Sequence, residues 1–312
     1  MNKRERFEAA VNGGVVDHPP CVVWVHFVTD ALPPVEGARR HATWVKTYDW
    51  DIAKVMHDFR YPLPQGLETI DTAADLLRFE KLPPTTLNFT NQLDLIRALR
   101  KEVGPDVPIV DTFFDPFQQV VRSAGMSKSS LIYAHPREAL KMLDAVTESV
   151  CGYMQELKKA GCDGVLYSIN GAITPAGDRG VDEATFNTFL KPFDLRVCEA
   201  MQGMTRILHV HGTHVDMQRV LDYPVEVFSV SDRLEGNPSL AQLRKMTSKC
   251  LMGGINEAKI QERSLPEIRA EMHDAFKQAG KRKFIIAPGC TSAPQTPQPI
   301  LRAIRETSRA LN

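Results

Sequence analysis

Three histidines lie within six residues of the stretch LHVHGTHVD, residues 208–216. His209 and His211 are separated by one residue and follow an apolar run, TRIL, that predicts a strand. Because residues i and i+2 of a strand point to the same face, the two imidazoles can converge on one ion. Zinc accepts histidine nitrogen and cysteine sulfur, and Cys290 follows the last predicted strand. We therefore predict a metal site at His209, His211 and Cys290.

The residues alone leave two other interpretations of this stretch open. In the first, His209 is a hydrogen-bonded core histidine and His211 a polar loop residue, so that the group handles protons and binds no metal. In the second, the loop is merely rich in histidine. We expect His214 in the first turn of the following helix, where it supports the fold or the site.

Two further candidates for catalysis follow the second predicted strand. Asp58 comes at the end of KVMHD, where a carboxylate can donate a proton or anchor a charge. Its alternatives are a helix cap and an ion pair with Arg60. His57, directly before it, is a second candidate, and Asn170 in SINGA is expected to hydrogen-bond the substrate.

Four residues are expected to bind the substrate because they also come at or near strand ends. His26 ends the first predicted strand, and Tyr167 lies near the end of the fourth, where a place in the core is equally compatible with its side chain. Asp232 and Arg233 are adjacent after the sixth predicted strand. They form either an ion pair with each other or a binding site for a substrate carboxylate.

The elements that position these residues alternate along the chain. Short apolar runs predict strands at 21–27, 52–56, 107–114, 164–168, 205–210, 225–230, 250–255 and 283–288, and helical spacing predicts helices at 90–103, 137–161 and 264–280. Caps are predicted at Asn2 with Glu5, Ser264 with Glu267, and Asp182. Eight such units predict an α/β fold, a (β/α)8 TIM barrel, as a single domain over residues 1–312. An open doubly wound sheet is the alternative, but no G-x-G-x-x-G follows the first strand.

The composition argues against several classes of function. Lys and Arg number 38 and Asp and Glu number 38, giving a net charge of +0 without the basic stripe of a nucleic-acid binder. No apolar run reaches the roughly 18 residues of a membrane helix, and the N-terminus lacks the apolar core of a secretory signal. The six cysteines form no C-x-x-C pair and no disulfide-type spacing. We expect a cytoplasmic protein with reduced cysteines.

Several segments, in this order along the chain, carry a resemblance to a known family. They are NKRERFEAAVNGGVVDHPP, YDWDIAKVMHDFRYPLP, AGCDGVLYSINGA followed by FNTFLKPFD, then LHVHGTHVD, LMGGIN and APGCTSAPQTP. With these segments the chain resembles the uroporphyrinogen decarboxylase-like superfamily over nearly its whole length. The resemblance implies an α/β barrel and one of two chemistries. One is decarboxylation of uroporphyrinogen without a cofactor, and the other is zinc-dependent methyl transfer between a methylated corrinoid protein and a thiol.

The sequence departs from both branches of that superfamily. The decarboxylases carry arginines in a first-strand pattern W-x-M-R-Q-A-G-R-Y, whereas VVWVHFVTDALPP has none, although Asp58 resembles their catalytic aspartate. The zinc methyltransferases carry H-x-C-G, whereas HVHG has His211 at the cysteine position. GCTSAPQTP keeps their cysteine, Cys290, and their Thr-Pro. A fourth metal ligand, where one is needed, would come from Asp232, Glu257 or a carboxylate nearer the second strand.

The leading hypothesis is a metal-dependent methyltransferase or demethylase that acts on a small molecule, with zinc as the metal. The methyl partner would be a corrinoid carried by a separate protein, a thiol or a folate, and a homodimer is compatible with such a barrel. The first alternative is a cofactor-independent decarboxylase of a small carboxylic acid, which inward-pointing Arg60, Arg179 and Arg233 would favour. The second alternative is a non-catalytic binding protein.

Overall fold

Seven parallel strands form the sheet around which the chain is built. The computed structural model describes residues 1–177 and 179–311. The strands pair in chain order, each with the next. They are β1 (Ala53–Val55), β2 (Ile109–Phe114), β3 (Gly164–Ile169), β4 (Thr205–Val210), β5 (Val227–Val230), β6 (Cys250–Ile255) and β7 (Phe284–Pro288). This curled parallel sheet is consistent with a TIM-like barrel and confirms the α/β class.

Helices follow or precede most strands and cover the outer face of the sheet. They are α1 (Lys3–Asn12), α2 (Pro34–Tyr48), α3 (Ala73–Leu76), α4 (Leu87–Val103), α5 (Pro116–Ala124), α6 (Ser129–Ala134), α7 (Pro136–Lys159), α8 (Glu183–Phe189), α9 (Lys191–Ala200), α10 (Leu240–Met246), α11 (Leu265–Ala279) and α12 (Gln298–Ala310). Short 3₁₀ turns occur at Thr29–Ala31, Met126–Lys128, Met217–Arg219 and Glu257–Glu262. The predicted caps at Asn2, Asp182 and Ser264 are confirmed.

The first of the eight predicted strands, residues 21–27, is not formed as a strand. Cys21 makes an isolated parallel bridge to Ile286 of β7, and the amide of Asp51 donates to the carbonyl of Cys21 at 3.0 Å. The carbonyl of Val23 accepts from the indole N–H of Trp44 at 2.7 Å and so is not part of a strand ladder. The segment therefore lies extended between β7 and the start of β1 without the ladder of a full strand, which is why eight predicted strands give a sheet of seven.

A buried cluster of ions holds this extended segment at the N-terminal end of the strands. Asp51 is fully buried, and its Oδ1 accepts from Arg6 Nη1 of α1 at 2.8 Å. Its Oδ2 accepts from Arg305 Nη1 of α12 at 2.6 Å and from the amide of Cys21 at 2.8 Å. One carboxylate thus ties two helices and the segment before β1 together.

The core lies between the sheet and its helices. Every residue of β3 and β6 is buried, as expected for parallel strands that are covered on both faces. Across the described residues, no helix is both long enough and apolar enough to cross a lipid bilayer.

Candidate metal centre

The three predicted metal ligands meet at the C-terminal ends of the strands. His209 lies on β4, His211 follows that strand directly, and Cys290 follows β7. His209 Nε2 is 3.4 Å from His211 Nδ1, and Cys290 Sγ is 3.6 Å from the same nitrogen. These three ligand atoms all lie within 4.8 Å of one another. The pleat of β4 places both imidazoles on one face, and the curl of the sheet brings the segment after β7 to them.

The protonation states of this group suit a metal ion. Burial lowers the pKa of His209 well below its usual range, and the neighbouring His211 lowers it further. The neutral imidazole is the form that coordinates a metal, and Ser229 Oγ, 3.2 Å from His209 Nδ1, leaves Nε2 for that purpose. Burial raises the pKa of Cys290 to about 11, so its thiol needs a nearby cation to ionise. Two imidazoles and one sulfur are a donor set that zinc accepts, with a position left open for substrate.

A buried carboxylate lies beside the segment that carries the cysteine. Glu257 Oε1 accepts from Ser231 Oγ at 2.5 Å, while its Oε2 has no hydrogen-bond partner among the described residues. A Cβ on Gly289 would lie 2.9 Å from this Oε2 and 2.3 Å from Ser231 Cα, so a side chain at 289 would displace the backbone. The other carboxylate considered for the metal, Asp232, accepts from the amide of Gly254 at 2.7 Å. Neither carboxylate belongs to the group formed by His209, His211 and Cys290.

His209, His211 and Cys290 line a cavity of about 200 Å³. A second cavity, of about 300 Å³, shares four lining residues with the first, namely Gln118, Met126, Asn170 and Arg179. Asn170 is buried, and its Oδ1 has no partner among the residues that the structure describes. The predicted substrate-binding amide thus lies where the two cavities join.

His26 and Asp58 form a pair at this cavity, and His26 is the member that lines it. Asp58 Oδ1 is 2.8 Å from His26 Nδ1, and Asp58 Oδ2 accepts from the amide and the hydroxyl of Thr29 at 2.9 and 3.0 Å. Burial alone would raise the pKa of Asp58, but the hydrogen bonds from His26 and Thr29 outweigh it and lower the pKa to about 2. Asp58 is not among the described lining residues. Its carboxylate holds the imidazole in place.

Two other predicted site residues lie in the core. His57 is buried against Phe113, with its Nδ1 3.6 Å from Asp111 Oδ2. Tyr167 is fully buried, and its hydroxyl donates to Asp194 Oδ1 at 2.6 Å. Neither side chain is among the described residues that line the cavity.

The remaining expectations concern Asp232 and Arg233, which follow β5, and His214, which follows β4. Arg233 forms an ion pair with Asp274 at 2.6 Å and with its neighbour Asp232 at 3.3 Å, and neither Asp232 nor Arg233 is among the described residues that line the cavity. His214 lies in a bend with a φ of 56°, and the helical turn that follows begins only at Met217. The prediction that His214 starts a helix is wrong.

Sequence reasoning missed two cations that line the cavity. Lys54 on β1 is buried, with its Nζ 4.7 Å from the ring centroid of Trp24. Arg122 on α5 has its guanidinium carbon 3.4 Å from the ring centroid of Phe114. Burial lowers the pKa of Lys54 to about 7 and that of Arg122 to about 10. A lysine inside the apolar run IAKVM was the available signal for the first, whereas nothing in the helical pattern marks the second.

Comparison with solved structures finds the same fold in other proteins. A methyltransferase from Methanosarcina mazei superposes with a TM-score of 0.81, covering 99% of this chain and 98% of that one at 19% identity. A putative vitamin-B12 independent methionine synthase from Listeria monocytogenes superposes with a TM-score of 0.61 at 14% identity, covering 94% of this chain and 96% of that one. At these identities the likeness shows the fold.

Sequence comparison gives the family. The Methylcobamide:CoM methyltransferase MtaA of Methanosarcina barkeri is 25% identical over 251 residues, which are 78% of this chain and 68% of that protein. The uroporphyrinogen decarboxylase of Saccharophagus degradans is 28% identical over 109 residues, 33% of this chain and 30% of that one. The family model described as "Uroporphyrinogen decarboxylase (URO-D)" matches residues 60–311. Because this match covers most of its length, the chain belongs to the uroporphyrinogen decarboxylase (URO-D) family.

Proposed function

We propose that this protein is a metal-dependent methyltransferase or demethylase that acts on a small molecule. The observation that carries the proposal is the convergence of His209, His211 and Cys290 on one cavity wall, with ligand atoms within 4.8 Å of one another. The relatives named as methyltransferases support the same reaction class. When bound, zinc would act as a Lewis acid on the heteroatom that accepts or releases the methyl group.

The histidine at position 211 sets the charge of this centre. With a single thiolate from Cys290, a bound divalent cation keeps a net positive charge, whereas two thiolates would neutralise it. Such a centre is more Lewis-acidic and makes a bound thiolate less nucleophilic. We therefore favour an alcohol or phenol oxygen over a thiol as the reacting atom of the small substrate.

The other cavity residues bind and orient the substrate. His26 faces the cavity and can take or give a proton, while Asp58 fixes its ring through Nδ1. Asn170 offers a buried oxygen without a partner among the described residues, so it can accept a hydrogen bond from a substrate hydroxyl or amide. The methyl group would be exchanged with a corrinoid on a partner protein, as the name of the Methanosarcina barkeri relative suggests. A thiol or folate is the alternative partner.

Elemental analysis after zinc reconstitution tests the proposal. Wild type should hold about one zinc ion per chain, and His211→Ala and Cys290→Ser should lose most of it because each removes one of only three ligands. Cys250→Ala is the matched control, since Cys250 is a buried free cysteine on β6 that lies outside the metal group. A wild-type protein that binds no metal, or a His211→Ala protein that keeps both zinc and activity, would refute the proposal.

A second candidate function has one observation in its favour. Decarboxylation of a small carboxylic acid requires cations around the substrate, and Lys54, Arg122 and Arg179 line the cavity. Arg60 and Arg233, which the sequence also suggested, are not among the described lining residues. Release of CO₂ from small acids by zinc-free protein, lost in His26→Gln, would support this reaction. Its absence over a panel of acids would leave methyl transfer.

A further inference from the structure

The cavity beside the candidate metal centre has basic side chains on its wall and no carboxylate among its described lining residues. Two of these cations, Lys54 and Arg122, also have no ion pair with a carboxylate in the part of the chain that the structure describes. A charged group that is removed from water without an opposite charge is unstable unless a ligand supplies that charge. Lys54 and Arg122 therefore lack an opposite charge that a bound anion would supply.

Among the described residues, the ammonium group of Lys54 hydrogen-bonds only neutral groups. Its side chain is 4% exposed, and Nζ hydrogen-bonds the hydroxyl of Thr112 and lies 3.3 Å from the sulfur of Met56. The face of Trp24 covers another side at 4.7 Å. The hydroxyl of Thr112 already donates to the carbonyl of Val55 at 2.6 Å, so it accepts from the lysine. None of these groups carries a negative charge.

Arg122 on α5 likewise forms no ion pair with a carboxylate of the described residues. Its guanidinium carbon lies 3.4 Å from the ring centroid of Phe114, and the backbone carbonyl of Arg122 accepts from Arg60 Nη1 at 2.8 Å. A stacked guanidinium keeps its N–H groups in a fixed plane, and that geometry suits two oxygens of one anionic group. The two cations reach the cavity from different elements, β1 and α5, and both line the same small space as the metal ligands.

We propose that Lys54 and Arg122 form an anion-binding subsite that holds a carboxylate, sulfonate or phosphate group of the substrate while its reacting atom lies at the metal group. The inference deepens the proposed function and rests on it for the second half of that statement. The subsite itself requires only the two cations and the cavity. It also places the anion contacts on β1 and α5, whereas the segment VVWVHFVTDALPP has no arginine.

Binding of matched probes to metal-free protein tests the subsite apart from catalysis. Benzoate, benzenesulfonate and phenyl phosphate share a ring with neutral benzamide, and titration calorimetry gives the affinity of each. At least one of the three anions should bind about tenfold or more tightly than benzamide, which corresponds to one charge-assisted hydrogen bond. The order of the three identifies the anionic group. Equal affinity for all four probes would overturn the proposal.

Substitution of each cation tests whether Lys54 and Arg122 cause the preference for an anionic probe. Lys54→Met and Arg122→Met should each weaken binding of the preferred anion about tenfold and leave benzamide binding unchanged. Lys81→Met, which removes an exposed cation paired with Glu148, is the control and should change neither. If Lys54→Met and Arg122→Met keep wild-type preference for the anion, the subsite is elsewhere and the inference fails. Because zinc content is measured separately, a protein that binds zinc but shows no anion preference would refute the subsite and leave the proposed function standing.

Discussion

Removing the charge of Lys54 should stabilise the folded protein. The ammonium is buried among a hydroxyl, a thioether and an indole ring, with no hydrogen-bonded carboxylate within the described residues. Lys54→Met keeps an unbranched side chain of similar length in the same space and removes the charge. Because the charge of Lys54 is expected to lower stability, we infer that it serves ligand binding.

The magnitude follows from the pKa of this lysine. Burial lowers it from 10.5 to about 7. Below pH 7 this lowered pKa reduces the free energy of unfolding by about 5 kcal/mol, since each pKa unit is worth about 1.4 kcal/mol. Between pH 7 and pH 10.5 the unfolded chain binds more protons at this site than the folded protein, so wild-type stability rises with pH in that window. At pH 9 the cost that remains is about 2 kcal/mol.

Urea unfolding of wild type and Lys54→Met at pH 6 and pH 9 measures both numbers. The variant should be more stable by about 5 kcal/mol at pH 6 and by about 2 kcal/mol at pH 9. The difference between the two proteins cancels titrations that they share. Lys81→Met should follow wild type at both pH values, because Lys81 is exposed. A variant that is less stable than wild type at pH 6, or a gap that stays constant to pH 9, would refute the reasoning.

Three further predictions concern other positions. Asp51→Asn leaves two buried arginines without their shared carboxylate and should lower the free energy of unfolding by about 3–5 kcal/mol, as measured by urea denaturation. Asp58→Asn should lose the stability that its low pKa provides above pH 4, about 2 kcal/mol, and this loss relative to wild type should vanish as the pH falls through about 2 in acid-unfolding curves. The same variant should reduce turnover more than substrate affinity, because it frees the ring of His26. Gly289→Ala places a Cβ 2.3 Å from Ser231 Cα and should lower the unfolding midpoint and the zinc content together, and an unchanged midpoint would contradict it.

Most of the sheet was predictable from local pattern. Parallel strands covered on both faces read as continuous apolar runs, so β4 and β6 match their predicted bounds of 205–210 and 250–255. The segment at 21–27 has the same apolar pattern but is not a strand. Its backbone groups bond to Asp51 and Trp44, which are distant in sequence, and no local pattern reveals such partners.

Alternation along the strands explains which of the predicted site residues the structure brings together. His209 and His211 share one face of β4 and its extension, and the structure brings them together. On β3, Leu166 and Ser168 line the cavity, as does Asn170 just beyond it, so Tyr167 must face the helices.

The same rule applied to β1 assigns Lys54 to the cavity and His57, three residues later, to the opposite face. That assignment was available from the sequence once the strand had been located. Arg122 was not predictable in this way, because its position depends on how α5 packs over the strand ends.

The join between β7 and β1, which residues 20–26 form without a strand ladder, is where we expect the cavity to adapt in size. The segment 20–25 is held by backbone hydrogen bonds to Ile286 and Asp51, while the other walls are continuous ladders. We therefore expect mechanical compliance to concentrate at this join, which carries Trp24 and His26 to the cavity. Bulkier ligands should be accommodated by outward movement on the Trp24 side, while the spacing between His209 and His211 stays fixed. Variation in substrate bulk among related enzymes should then be recorded in this segment.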